Sequence, residues 1–147
     1  MVNIGDKSSS PRRAIAQGRV LLHSADALAL VQQAGRKKGD VLTVAKIAGV
    51  MGAKLTGQLI PLCHPIALDH VQVDLALNPS HQAVDIEAHT ECTGKTGVEM
   101  EALTAVTLAG LTIIDMCKSV ARNATLTDVR VTFKTGGKSG TYQESAE

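Results

Sequence analysis

The stretch His70-Val-Gln-Val-Asp-Leu-Ala-Leu-Asn-Pro-Ser-His-Gln-Ala-Val-Asp-Ile-Glu-Ala-His-Thr-Glu91 alternates apolar and polar residues on both sides of a turn. Val71, Val73, Leu75 and Leu77 share one face of its first half, and Val84, Ile86 and Ala88 one face of its second. Strict alternation is the signature of a half-buried strand, and Asn78-Pro79-Ser80 has turn chemistry. The reading is therefore a hairpin of strands 70–77 and 83–91. Its outward face carries His70, Gln72, Asp74, Asp85, Glu87, His89 and Glu91. Symmetric closure sets His70 opposite His89, a pair a metal could use. A solvated face, or one that meets another subunit, explains the same residues more simply.

Outward from the hairpin, helical periodicity replaces alternation. Upstream, a strand at Arg19–His23 is followed by Ser24, an N-cap for a short helix from Ala25 to Ala34 that Gly35 stops. After the basic loop Arg36-Lys37-Lys38-Gly39, Asp40 caps a helix over 41–56 with apolar residues at 44, 47, 48 and 51. Pro61-Leu-Cys-His-Pro65 is a stiff, non-helical connector, because proline donates no backbone hydrogen bond and holds its predecessor extended. Downstream, Thr93-Gly94-Lys95-Thr96-Gly97 leads into the longest helix, Glu99 to Val120, and a strand at Val129–Phe133 follows. Apart from the short extra helix, the order is βαββαβ. That predicts an α+β, ferredoxin-like domain: a four-stranded antiparallel sheet with helices on one face.

The 147 residues fit one domain, 1–147, with an N-terminal arm (1–14) and a tail (136–147) that read as mobile. Fifteen Lys+Arg against fourteen Asp+Glu give no global field toward nucleic acid or lipid. One Phe and one Tyr rule out aromatic platforms for single-stranded nucleic acid, and leave Val, Leu, Ile and Ala to build the core with Met51, Met100 and Met116 as filler. Cys63, Cys92 and Cys117 suggest neither a disulfide framework nor a zinc site. No uninterrupted apolar run approaches the ~18 residues of a membrane span. The expectation is a cytoplasmic protein with neither nucleic acid nor membrane as partner.

Several constellations could do chemistry. Gly94-Lys95-Thr96 and Gly137-Lys138-Ser139 fail as P-loops, because His89 and Thr132 stand where the first glycine belongs. Anion-binding nests remain open to them, as do plain turns with solvated lysines. Cys63 and His64 are adjacent on an extended segment and so face opposite sides, which disfavours activation of the thiol by the imidazole. Glu101, Thr104, Leu108, Leu111, Asp115 and Lys118 form a helical stripe with Asp115 and Lys118 one turn apart, an acid/base couple or an exposed ion pair. Glu101 and Asp115 are about 21 Å apart along a continuous helix. If both serve one small substrate, either the helix breaks or two subunits build the site.

Lys38-Gly39-Asp40-Val41, Leu59-Ile-Pro-Leu-Cys-His-Pro65, Thr93-Gly-Lys-Thr-Gly-Val-Glu-Met-Glu-Ala102, Asp115-Met-Cys-Lys118 and Lys134-Thr-Gly-Gly-Lys-Ser-Gly140 together resemble the molybdenum-cofactor biosynthesis protein C family, the cyclic pyranopterin monophosphate synthases. The likeness spans nearly the whole chain. It implies a homohexamer, a trimer of dimers, with sites at subunit interfaces. It also implies a lyase that converts a radical-derived cyclic dihydro-GTP to cyclic pyranopterin monophosphate and pyrophosphate. Catalytic roles fall on Asp115, Lys118 and Lys38, and substrate binding on Leu62, Cys63, His64, Glu99, Met100, Glu101 and Lys134. No metal site and no cofactor are required; magnesium could accompany the triphosphate, though no motif calls for it. Transient contact with the upstream radical-SAM enzyme would suit an unstable substrate, and a mitochondrial matrix location would suit a processed eukaryotic form. The chain departs from the family at Asn3, where Met-Val-Asp-Val is usual.

Two other readings use the same residues. A non-catalytic nucleotide- or phosphate-binding module would keep the lysines and glycine loops but have no use for the Asp115–Lys118 couple. A Cys63-dependent hydrolase or transferase would need an activated thiol.

Overall fold

The computed structural model describes residues 1–33 and 39–145. Strand β1 spans Ser10–Leu21, helix α1 Ala25–Gln32, helix α2 Val41–Leu59, strand β2 His70–Asn78, strand β3 Ala83–Gly94, helix α3 Glu99–Cys117, strand β4 Thr125–Thr135 and the short strand β5 Tyr142–Gln143. The sheet order is β2-β3-β1-β4-β5, and every neighbouring pair is antiparallel. The first four strands in that order are those of the expected ferredoxin-like arrangement; β5 adds a fifth at the edge.

The two predicted caps form. Ser24 Oγ accepts from the Ala27 amide at 3.1 Å, and Asp40 Oδ1 accepts from the Leu42 amide at 3.0 Å. Hydrogen bonds from Thr43 hold the Asp40 carboxyl below its ordinary pKa, as expected of a charged N-cap. Gly35 and the basic loop through Lys38 lie outside the described residues.

Strand β1 begins at Ser10, so residues 10–14 are sheet rather than arm; Arg12 and Arg13 pair with Cys92 and Glu91. Their polar side chains conceal the strand, because Arg13 lies on its open face and the inward positions that follow are the small Ala14, Ala16 and Gly18, then Val20. The tail also departs from expectation: Tyr142 returns to pair with Lys134.

The hairpin closes with its predicted faces but not its predicted register. Pro79–His81 forms a single 3₁₀ turn and Gln82 adopts a left-handed conformation (φ 48°), so Asn78 pairs with Ala83. His70 therefore faces Glu91, and His89 faces Gln72. The paired imidazoles do not exist. Instead the outer face carries cross-strand ion pairs, Arg19–Asp85 at 2.5 Å and Arg13–Glu91 at 3.3 Å, and His89 contacts Glu87 of its own strand at 2.8 Å.

Helix α2 overturns its predicted face. Val41, Ala45, Gly49, Gly52, Ala53 and Thr56 are buried, while Val44, Ile47 and Met51 are exposed, Ile47 by 60%. Small residues win this contact because they let two helix backbones approach closely. A Cβ on Gly49 would stand 3.0 Å from the Ala105 carbonyl, and one on Gly52 3.1 Å from that of Thr104. Two large apolar side chains there would hold the axes apart and forfeit van der Waals contact along both helices. Met51 and Met100 are thus surface residues rather than filler.

Helix α3 lies across β1, β3 and β4 with Ala102, Ala105, Val106, Ala109, Ile113 and Cys117 inward. It is long and apolar enough to span a bilayer by composition, with a mean hydropathy of 1.5. Burial of this face against the sheet accounts for that apolarity.

Candidate active site

Seven of the candidate residues gather at one end of the sheet, around the start of α3. The segments that carry them reach this end at the close of α2, in the β3–α3 turn, and where β4 runs into the glycine-rich tail. The proline-bracketed connector folds back on α2, and a Cβ on Gly57 would come within 2.9 Å of Pro65 Cα. That turn leaves Leu62 exposed and Cys63 half-buried.

Glu101 is the pivot of this group. It lies in the first turn of α3 but faces inward, 2% exposed, and its Oε2 has no hydrogen-bond partner among the described residues. Burial pushes its carboxyl up from 4.5 to about 7, partly offset by its own backbone amide. A carboxylate would ordinarily be content at a helix N-terminus, where the dipole favours negative charge. Here the loss of water outweighs that help, so near neutrality Glu101 can hold or release a proton.

Burial, with the nearby Glu101 carboxyl adding to it, also raises the Cys63 thiol. Burial raises Cys92 and Cys117 as well, and all three cysteines are unpaired. A raised thiol is the opposite of an activated nucleophile. The neighbouring His64 turns away from it, and its Nε2 lies 2.8 Å from the Val2 carbonyl.

Glu99 folds its carboxyl back into the space where a Cβ of Gly97 would stand. Lys134 reaches Glu99 at 3.9 Å and also donates to Ser139 Oγ. The loop after Lys134 needs its glycines. Gly136 (φ 101°) and Gly137 (φ 76°) occupy left-handed conformations over Arg12, which itself donates to the Gly94 carbonyl at 3.2 Å. Arg12 thus underlies the loop, a role with no local signal in the sequence. Met100 lies exposed on the first turn of α3.

Asp115 and Lys118 are not part of this group. They lie at the other end of α3, joined by a 2.6 Å bond, with side chains 60% and 64% exposed. Helix α3 runs unbroken from Glu99 to Cys117, which removes the first of the two alternatives, a broken helix. Gly49 packs against Ala105 and Ala109, and Gly52 against Thr104 and Leu108, so α2 runs antiparallel to α3 and starts near the Asp115 end. Lys38 lies just upstream of that start, outside the described residues.

A concavity of about 910 Å³ lies elsewhere, over the charged sheet surface of Gln17, Arg19, Asp74, Asp85, Glu87 and Arg130. Its side chains pair with one another, whereas Glu101 offers an oxygen with no partner among the described residues, so chemistry favours the α3 end over that hollow. Among the described residues, no three His, Cys, Asp or Glu side chains converge as metal ligands.

A model of the MoaC family matches residues 1–137. The mitochondrial cyclic pyranopterin monophosphate synthase of Arabidopsis thaliana is 57% identical over 97% of this chain and 52% of its own length. The synthases of Rhodospirillum rubrum and Heliobacterium modesticaldum are 53% and 51% identical, over 99% and 97% of this chain and 87% and 89% of theirs. The chain thus spans about half of the plant relative and most of the bacterial ones. With a family model covering nearly all of it and relatives above half identity, the chain belongs to the MoaC family.

Proposed function

We infer that this chain is a cyclic pyranopterin monophosphate synthase, a lyase that rearranges a cyclic dihydro-GTP to the pterin monophosphate and releases pyrophosphate. The observation that carries the reading is the buried Oε2 of Glu101, without a hydrogen-bond partner among the described residues. An orphaned buried acceptor costs free energy unless a ligand satisfies it. The N–H edge of a guanine-derived ring supplies the required donors, and Glu99, which acts on the Glu101 carboxyl, is a further polar contact, with His64 on the connector another. Lys134, set on a glycine-rich loop, suits the triphosphate.

The reaction opens one ring, closes another and forms a cyclic phosphate without net oxidation or reduction. Its demands are therefore proton transfer and neutralisation of the leaving pyrophosphate. Asp115 is the general acid/base, and Lys118, bonded to it, tunes its charge. Lys38 and Lys134 balance phosphate charge. The chain's own groups meet these demands, and magnesium, if present, travels with the triphosphate.

Because α3 is unbroken, Glu101 and Asp115 of one copy stand about 21 Å apart and cannot reach one small substrate together. The site is completed by a second copy, in a homohexamer arranged as a trimer of dimers. Exposed Val44, Ile47 and Met51 on α2 and Leu111 beside Asp115 on α3 support such an assembly, since large apolar side chains at helical spacing are seldom left to water. The compartment this implies is a bacterial cytoplasm or a mitochondrial matrix. Transient contact with the enzyme that makes the unstable substrate fits the same picture.

Incubating the purified protein with the cyclic dihydro-GTP intermediate and analysing the products by mass spectrometry tests the function. The pterin monophosphate and one equivalent of pyrophosphate are expected. Tight binding of the intermediate without either product would point instead to a binding module.

A further inference from the structure

The Gly94-Lys95-Thr96 turn fails as a phosphate loop, yet its lysine is not left to solvent. Lys95 Nζ donates to the Gly5 carbonyl at 2.7 Å. The Gly5 amide in turn donates to Asn3 Oδ1 at 2.8 Å, closing an Asx turn in the N-terminal arm. Three residues before Gly5, and just ahead of that turn, the Val2 carbonyl meets His64 Nε2 at 2.8 Å. The arm therefore bridges two segments remote in sequence, the proline-bracketed connector and the β3–α3 turn. The turn is tight: a Cβ on Gly5 would lie 3.1 Å from Asn3 Oδ1.

A carbonyl oxygen can only accept. His64 Nε2 must therefore carry the hydrogen, and in the neutral ring Nδ1 is left as the acceptor. The Val2 carbonyl fixes both the ring's rotation and which nitrogen offers a lone pair. Nothing in the connector itself does this, since Pro61 and Pro65 stiffen the backbone but not the imidazole. Asn3 closes the turn through a side-chain oxygen that an Asp would also offer. Its replacement of the family Asp leaves the clasp intact.

We propose that Lys95 is a positioning residue: by holding the Asn3–Gly5 turn it sets the Val2 carbonyl on His64 and orients that imidazole for substrate. This rests on the reading of His64 as a substrate-binding residue, and the test separates the two. In full-length protein labelled with ¹⁵N-histidine, the Nε2–H of His64 gives an exchange-protected NMR signal in the wild type and in Lys95→Arg, which can still donate. The signal is lost in Lys95→Met and in a chain lacking residues 1–5. In the synthase assay, Lys95→Met raises KM about fivefold, the worth of one hydrogen bond, with kcat within twofold, and Lys95→Arg restores it. Adding Lys95→Met to the chain lacking residues 1–5 has no further effect on KM, because the lysine acts only through the arm.

A protected signal unchanged in Lys95→Met overturns the proposal. So does a KM increase that adds in full to that of the arm deletion, which would place Lys95 on the substrate itself. If the signal behaves as expected but neither Lys95→Met nor His64→Ala moves KM, the assignment of His64 to substrate binding fails while the clasp stands.

Discussion

Replacing Glu101 by Gln should stabilise the fold and destroy the activity, and the stabilisation should depend on pH. The carboxyl's pKa lies at about 7 in the folded chain against 4.5 for an ordinary Glu. Between those values the folded state holds a proton that the unfolded state has released, so stability falls as pH rises across the window and is level above it. A shift of that size corresponds to about 3 kcal/mol. Gln is isosteric and never ionises, so it escapes this cost. Urea unfolding of both proteins near pH 4.5 and near pH 8, at one fixed protein concentration, measures the effect. The midpoints should nearly coincide at the lower pH and separate by about 1–2 M at the higher, for a slope of about 2 kcal/mol/M. An equal separation at both pH values would refute the reasoning, because the gain would then come from packing rather than from charge.

Asp115→Asn and Lys118→Ala should each abolish product formation while changing stability by less than about 0.5 kcal/mol, since both side chains are more than half exposed; near-normal turnover by purified Asp115→Asn would remove it from the chemistry. Mixing inactive Glu101→Gln with inactive Asp115→Asn, then unfolding and refolding them together, should recover about a quarter of wild-type activity if paired copies share each site, and no recovery would mean that sites are not shared. Gly49→Val should cost about 2–3 kcal/mol, because its Cβ enters space held by the Ala105 carbonyl and Val73, and thermal unfolding compared with the wild type measures it.

What the sequence disclosed depended on whether side-chain size and polarity carried the information. The hairpin was legible because Val71, Val73, Val84 and Ile86 alternate with polar residues, and the helix starts because Ser24 and Asp40 are good caps. Helix α2 misled for the same reason: periodicity points toward Val44, Ile47 and Met51, whereas packing was decided by the absence of side chains at Gly49 and Gly52. The His70–His89 pairing missed by two residues, since the turn sequence does not state how many residues the turn consumes. At the site, Glu101 and Asp115 were legible as a spacing problem on one helix. Contacts between distant segments were not legible at all: nothing near His64 announces Val2, and nothing near Gly137 announces Arg12.

The return of the tail to the sheet gives the molecule a built-in optical reporter. Tyr142 is its one tyrosine and it has no tryptophan, so emission excited near 280 nm comes from a single ring, cross-strand from Lys134. Any movement of the intervening glycine loop when an anion arrives is read from that ring's intensity and anisotropy. Unlabelled protein in a stopped-flow cuvette thus suffices to time how that segment responds, on a scale of milliseconds.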